Sequence, residues 1–416
     1  MNVQWILGGL VCATLGTTAL AFPSAQDKDE RKAWVVRAEK IYTSTGRAID
    51  KGTITVNNGK ISSVTTASDV SDSTSELKVY AVTAGLVDAS ARIGVSMESV
   101  EQSREVAPEM RVANAIDLHS PEWDRQVACG VTTVLVNPPD YDVVGGLGIV
   151  LKTAGGEGLA ARTLKPDAVL RGAIGSQPSQ NNHPAFGRPT DFYSRRPTTR
   201  MGVEWEWRKA FWDTAQSKQD PSKAFPGMER LADVLEGKLT LSIQAWTTQD
   251  IRTAVFLKEE MEREGLGKPR LFIDAAAEAW KEPQLLARSK TPVVLPPFPV
   301  VGRTEDGAFM AWNVAQLLVE QGIPVALSAH GASSFEDRLA MQAGYAMRGG
   351  LSFENALQAV TIQPARLLGV EERVGSIEVG KDADLALWNG EPFEPTSRVV
   401  GVIVDGVLRV DPRPKN

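Results

Sequence analysis

The sequence predicts an α/β fold in which a (β/α)8 TIM barrel is joined to a small β-sandwich built from both chain ends. Short apolar runs alternate with helical patterns from about residue 81 to residue 370, as in a barrel with crossover helices. Short strands separated by turns precede this region and follow it. With 416 residues, of which 43% are hydrophobic, the chain has ample material for such a core.

The first residues of the chain are predicted to be a secretory signal peptide. Residues 1–21 contain no charged side chain, are apolar from Trp5 to Leu15, and end in the small-residue stretch Ala19-Leu20-Ala21. Residues 22–32 are polar and are interpreted as a flexible leader. The sequence therefore predicts export to the periplasm or the cell exterior, and it predicts no membrane span.

Residues 33–80 and 371–416 are predicted to pair into the β-sandwich. Asn58-Gly59 separates two alternating runs, which is a hairpin signal, and Asp405-Gly406 separates two more near the C-terminus. The predicted strands are 34–38, 52–57, 60–64, 375–377, 383–388, 399–404 and 407–410.

The barrel is predicted to span residues 81–370. Its helices include Asp250–Glu264, in which Ile251, Val255 and Met261 are spaced for one buried face. Because strands and helices alternate, the sheet is expected to be parallel. The predicted barrel strands include 81–87, 131–137, 239–245, 269–275, 292–296 and 323–328.

Charge and cysteine content exclude several classes of protein. The net charge is −6 with no Lys/Arg-rich run, which argues against a nucleic-acid partner. If the signal peptide is removed, Cys129 is the remaining cysteine, so an internal disulfide is not expected.

Three motifs near the C-terminus are specific enough to suggest a family. Their positions are Ala-Leu-x-x-Val-Thr at 356–361, Pro-Ala-Arg-x-Leu-Gly at 364–369, and Gly-Ser-Ile-x-x-Gly-Lys-Asp-Ala-Asp-Leu at 375–385. In this order they resemble the amidohydrolase superfamily, in particular its imidazolonepropionase-like and dihydroorotase-like branches. The resemblance implies a TIM barrel in which a metal-bound hydroxide hydrolyses C–N bonds, with the metal ligands at strand ends.

Every ligand position that this resemblance implies is altered. A guanidinium has no lone pair for a metal, and a serine is a poor ligand for a divalent ion. The altered positions are Ser90 and Arg92 on the first strand, Gln244 to Trp246 after the fifth, Ala275 after the sixth, and His330 in place of the eighth-strand Asp. The sequence therefore predicts no metal and no other cofactor.

The same strand ends supply the candidate site residues. His330, Arg92, Asp88 and Glu278 are candidate acid/base and oxyanion groups, and Ser90, Gln244, Trp246, Asp274 and Ala275 are expected to line a pocket. Arg92 is expected to pair with Asp88, Asp274 or Glu278, either structurally or as part of an anion-binding pocket.

Three further residues are interpreted as lying outside this site. Lys152 is similar to the carboxylated strand lysine of some family members, but it is interpreted as an ordinary side chain because the other ligands are missing. His119 and His183 do not follow barrel strands, so surface or capping roles are expected.

Two hypotheses of function follow. The first is an inactive, metal-free homologue that serves as a binding protein for a small molecule or peptide, or as a subunit of a homo-oligomer or of a paralogous active amidohydrolase. The alternative is an active hydrolase of cyclic amides with a non-standard site formed by His330, Asp88, Glu278 and Arg92.

Overall fold

The computed structural model describes residues 33–66, 75–96, 98–101, 103–179, 182, 196–298, 308–330 and 338–413. The predicted signal peptide and leader, and His183, lie outside these ranges. No helix in the described part of the chain is long and apolar enough to cross a bilayer.

Strands from both chain ends form one seven-stranded sheet, which fits the predicted β-sandwich domain. Its strands are β1 (Trp34–Tyr42), β2 (Ile49–Asn57), β3 (Lys60–Thr65), β4 (Glu76–Ala84), β13 (Leu385–Trp388), β14 (Val399–Val404) and β15 (Val407–Val410). Their order in the sheet is β15-β14-β13-β4-β1-β2-β3, so the C-terminal strand β13 pairs with the N-terminal strand β4. The segment 375–377, which was expected to be a strand, is irregular. Its Ile377 N–H donates a hydrogen bond to the carbonyl of Thr43.

A second sheet of eight strands forms the barrel, which confirms the predicted fold class. Its order runs from β12 to β5 without interruption, and a parallel bridge between Ala91 and His330 joins the two edges. Its strands are β5 (Leu86–Ala91), β6 (Val131–Val136), β7 (Val144–Lys152), β8 (Thr163–Ala173), β9 (Thr240–Gln244), β10 (Leu271–Asp274), β11 (Val293–Leu295) and β12 (Val325–Leu327).

One barrel strand departs from the expected parallel arrangement. β7 is antiparallel to both β6 and β8. The connections at 137–143 and 153–162 are shorter than the dozen or so residues that a parallel crossover needs, so the chain returns in the opposite direction.

Gly85 separates the two sheets. The single strand predicted at 81–87 is in fact the end of β4 and the start of β5. A Cβ at Gly85 would lie 2.2 Å from the Thr132 hydroxyl, so only glycine allows this close approach of β5 to β6.

Helices cover the outside of the barrel, and their apolar faces form the largest buried cluster with the strands. A separate cluster joins strand residues such as Val169 and Phe272 to Ala365 and Leu368 of the helix Ile362–Leu368. The helices are α1 (Glu122–Ala128), α2 (Leu159–Arg162), α3 (Arg200–Gln216), α4 (Met228–Leu235), α5 (Thr248–Arg263), α6 (Pro283–Ser289), α7 (Val314–Glu320), α8 (Leu339–Arg348), α9 (Phe353–Ala359) and α10 (Ile362–Leu368).

Candidate functional site at the barrel strand ends

Arg171 of β8 is the central cation of the site. Its side chain is 2% exposed, and its Nη2 lies 2.7 Å from Asp274 Oδ2. Its Nε donates to Asp140 Oδ1 at 2.7 Å, and its Nη1 donates to Ser242 Oγ at 2.9 Å. All three nitrogens of this buried guanidinium therefore have acceptors, two of them carboxylates.

Asp140, in the loop after β6, is the shared anion. Besides Arg171, it accepts from Arg92 Nη2 at 2.5 Å and from Gln244 Nε2 at 2.7 Å. Burial alone would raise the pKa of Asp140, but Arg171 and Arg92 outweigh it and hold that pKa below its ordinary value. Asp140 is therefore an anion at neutral pH.

Asp274 ends β10 and ties the network to the first barrel strand. Its Oδ2 accepts from Ser90 Oγ at 2.7 Å, and its Oδ1 accepts from the Ala275 N–H at 2.8 Å. Ala275 is buried with a φ of +56°, a backbone conformation that returns its N–H to Asp274.

Asp88 is held by backbone donors rather than by cations. It accepts from the N–H groups of Ser90 and Ala329, each at 3.0 Å. Burial is the main influence on this carboxyl and raises its pKa to about 6, although these hydrogen bonds oppose the shift.

The raised pKa of Asp88 predicts a pH-dependent loss of stability. Because its folded-state pKa exceeds the unfolded value of 3.8, the protonated form favours folding below pH 4, and this contribution is lost as the pH rises through about 6. The loss amounts to about 3 kcal/mol. Urea unfolding between pH 4 and pH 7 checks this: the stability of Asp88→Asn relative to wild type should rise over that interval, and a constant difference would contradict it.

His330 follows β12 with a φ of +53°, and its ring meets Trp246 edge-on with centroids 6.1 Å apart. Burial is the main cause that lowers the pKa of His330, to about 4, so the imidazole is neutral at pH 7. Its Nε2 is buried and has no hydrogen-bond partner among the described residues. His330 is therefore the group of the site best placed to contact a ligand.

The sequence expectation about the charge partner of Arg92 is wrong. Arg92 pairs with Asp140, not with Asp88, Asp274 or Glu278, which favours a structural ion pair over an anion pocket. No motif points to Asp140, which lies in a loop 48 residues from Arg92 in the chain.

Glu278 lies outside the network. It accepts from the backbone and hydroxyl of Thr248, at 3.0 and 2.9 Å, and from the Phe309 N–H at 3.0 Å. Lys281 completes its partners at 2.7 Å. The turn after β10 carries Glu278 to the start of α5, so it braces these segments rather than the strand-end site.

Lys152 is also more than an ordinary side chain. It is buried at the end of β7, 2.8 Å from Asp382 and 3.1 Å from Asp384, and it contacts Asp405. The Gly-Lys-Asp-Ala-Asp motif therefore supplies two of the three carboxylates that fasten the terminal sheet to the barrel.

The residues present do not fit the divalent metal that the fold implies. Asp140 and Asp274 are already saturated by guanidinium, amide, hydroxyl and backbone donors. Two fixed positive charges, Arg171 and Arg92, stand among the strand ends, where a cation would be repelled. In the described part of the chain, no three His, Cys, Asp or Glu side chains form a group that could hold a metal ion.

Comparisons with known proteins match this chain to amidohydrolases and to an imidazolonepropionase. The sequence model of the amidohydrolase family matches residues 311–409. The protein described as amidohydrolase tasK from Hapsidospora irregularis is 24% identical over 99% of this chain, which spans 44% of the length of that relative. The imidazolonepropionase of Syntrophobacter fumaroxidans is 39% identical over a segment covering 18% of this chain and 19% of that enzyme.

A solved structure extends the likeness to the whole fold. The amidohydrolase from Thermotoga maritima superposes with a TM-score of 0.78 at 29% identity, over 90% of this chain and 99% of that one. The motifs, the barrel, the terminal sheet and these matches all support the amidohydrolase superfamily for this chain.

Proposed function

We propose that this chain is a metal-free, non-hydrolytic amidohydrolase homologue that acts as a binding protein or as a partner subunit. The observation that supports the proposal most strongly is Arg171, whose guanidinium binds both Asp140 and Asp274 inside the barrel. Two carboxylates near the implied metal position thus neutralise a permanent cation of the chain itself.

Binding at the strand ends is supported by the groups around His330. Its neutral imidazole has an Nε2 with no hydrogen-bond partner among the described residues, Trp246 offers a partly exposed aromatic ring, and Arg92 is 33% exposed. These groups suit a small molecule or peptide with a planar polar part. If the predicted signal peptide operates, this ligand is met in the periplasm or outside the cell.

The alternative of an active hydrolase is supported by the same histidine. A neutral imidazole can accept a proton from water, and Arg92 could stabilise a developing oxyanion. Asp88 would be a second acid/base group, whereas Glu278 is committed to Thr248, Phe309 and Lys281.

A hydrolysis screen with a matched variant separates the two proposals. We expect the purified full-length protein to leave cyclic amides and dipeptides unhydrolysed, with or without added zinc. Turnover that His330→Ala abolishes, in a variant with unchanged thermal unfolding, would support the alternative. Zinc-dependent turnover would overturn the metal-free proposal, while thermal stabilisation by a screened compound without turnover would support the binding role.

A further inference from the structure

A cavity lies away from the strand-end site and shares no lining residue with it. It has a volume of about 430 Å³ and is bounded by α1, α2, the segment after β7 and the last strand, β15. This volume lies within the range of small-molecule sites in proteins. The lining residues that matter for its chemistry are Arg162, Arg409, Trp123, Asp124 and His119.

Arg162 is a half-buried cation with few partners. Its Nη1 reaches the Thr153 carbonyl at 3.4 Å, and its guanidinium lies 6.0 Å from the centre of the Trp123 ring. The Nε atom is buried and has no hydrogen-bond partner among the described residues, and no carboxylate there accepts from Arg162. A donor buried in this way is costly unless an acceptor arrives.

The electrostatics of the cavity favour an anion. Burial lowers the pKa of Arg162, and the positive charge of Arg409 lowers it further, while Asp124 acts in the opposite direction. Two guanidiniums thus share the cavity with one lining carboxylate, in a protein whose net charge is −6. An oxyanion that contacts both arginines would relieve the repulsion between them.

We propose that this cavity binds a small molecule through a phosphate or carboxylate group held between Arg162 and Arg409. The guanidinium fork suits either oxyanion, because both accept two parallel N–H donors. Trp123 adds an apolar face beside the bound group, and the remaining volume admits a further part of the ligand.

Occupancy should couple the barrel to the terminal sheet. Arg162 ends α2 on the barrel, whereas Arg409 lies on β15 of the seven-stranded sheet. An anion that bridges them binds only the folded arrangement, so it should raise the unfolding temperature.

Thermal unfolding of the full-length protein tests the proposal. Inorganic phosphate and succinate are titrated separately against sodium chloride at equal ionic strength. We expect a saturable rise in Tm with one or both oxyanions beyond that with chloride, and the effective oxyanion identifies the group. No additional rise with either oxyanion would overturn the proposal.

Variants locate the effect in the cavity. Arg162→Gln and Arg409→Gln should each reduce the oxyanion affinity at least tenfold by isothermal titration calorimetry. Arg398→Gln, an exposed arginine outside the cavity, should bind as wild type does. An unchanged affinity in both cavity variants would place the anion elsewhere and contradict the assignment. If a cavity variant fails to fold, the oxyanion titration of the wild-type protein tests the proposal by itself.

Discussion

Replacing Arg171 by methionine should destabilise the protein by about 3–5 kcal/mol, or prevent folding altogether. The substitution keeps much of the side-chain volume but removes the guanidinium that neutralises Asp140 and Asp274, both buried. Two carboxylates would then remain in the barrel with Arg92 as the nearby cation. Urea unfolding monitored by tryptophan fluorescence measures the loss.

Arg111 provides the matched control for this prediction. It makes a paired contact with Asp167 but is 43% exposed, so solvent can replace its partner. Arg111→Met should therefore cost less than about 1 kcal/mol. A loss at Arg171 no greater than that at Arg111 would contradict the view that the barrel depends on an internal cation.

Replacing Lys152 by methionine should cost a similar amount, about 3–5 kcal/mol at pH 7. The ammonium is 2% exposed and is the buried cation among Asp382, Asp384 and Asp405. Without it, three carboxylates would repel one another where the terminal sheet meets the barrel. Unfolding of the variant is again followed in urea.

The loss of stability caused by Lys152→Met should also depend on pH. In the wild type, burial opposes ionisation of Asp382, but Lys152 and its other partners lower the pKa of that carboxyl to about 2. This stabilisation is present above the unfolded pKa of 3.8 and is lost as the pH falls through 2. The difference in unfolding free energy between wild type and Lys152→Met should therefore become smaller below about pH 4. A gap that does not change between pH 7 and pH 3 would contradict the charge argument.

Lys60 supplies the comparison for this site. It pairs with the same Asp382 carboxyl, at 2.5 Å, but is 50% exposed. Lys60→Met should therefore change stability by less than about 1 kcal/mol. Equal losses at Lys60 and Lys152 would show that burial does not govern the strength of these pairs.

Local sequence patterns predicted the strands that are bounded by clear turn residues. The last two strands were predicted at their observed limits, because alternating apolar residues flank the turn formed by Asp405-Gly406. The change from one sheet to the other at Gly85 was missed because the run from 81 to 87 contains no charged residue and no proline to mark a break. The direction of β7 depends on its short connections to β6 and β8, which hydrophobic periodicity does not report.

The candidate site was likewise predicted in part and missed in part. Sequence reasoning identified the altered ligand positions, because each falls at a fixed distance from a recognisable motif. It missed the buried ion pairs of Arg171, since this residue meets Asp140 across 31 residues and meets Asp274 across an intervening barrel strand. The available signal was the charged Arg171 directly after the apolar run Ala168-Val169-Leu170, because a charge in a buried strand requires a partner.

Metal content most directly tests the claim that fixed guanidiniums stand where a divalent ion would bind. The full-length protein should be purified without chelators, equilibrated with excess zinc, dialysed and measured by elemental analysis. Far less than one equivalent of zinc per chain is the predicted result. One full equivalent, retained through dialysis and located by anomalous scattering beside Asp274 and His330, would contradict it.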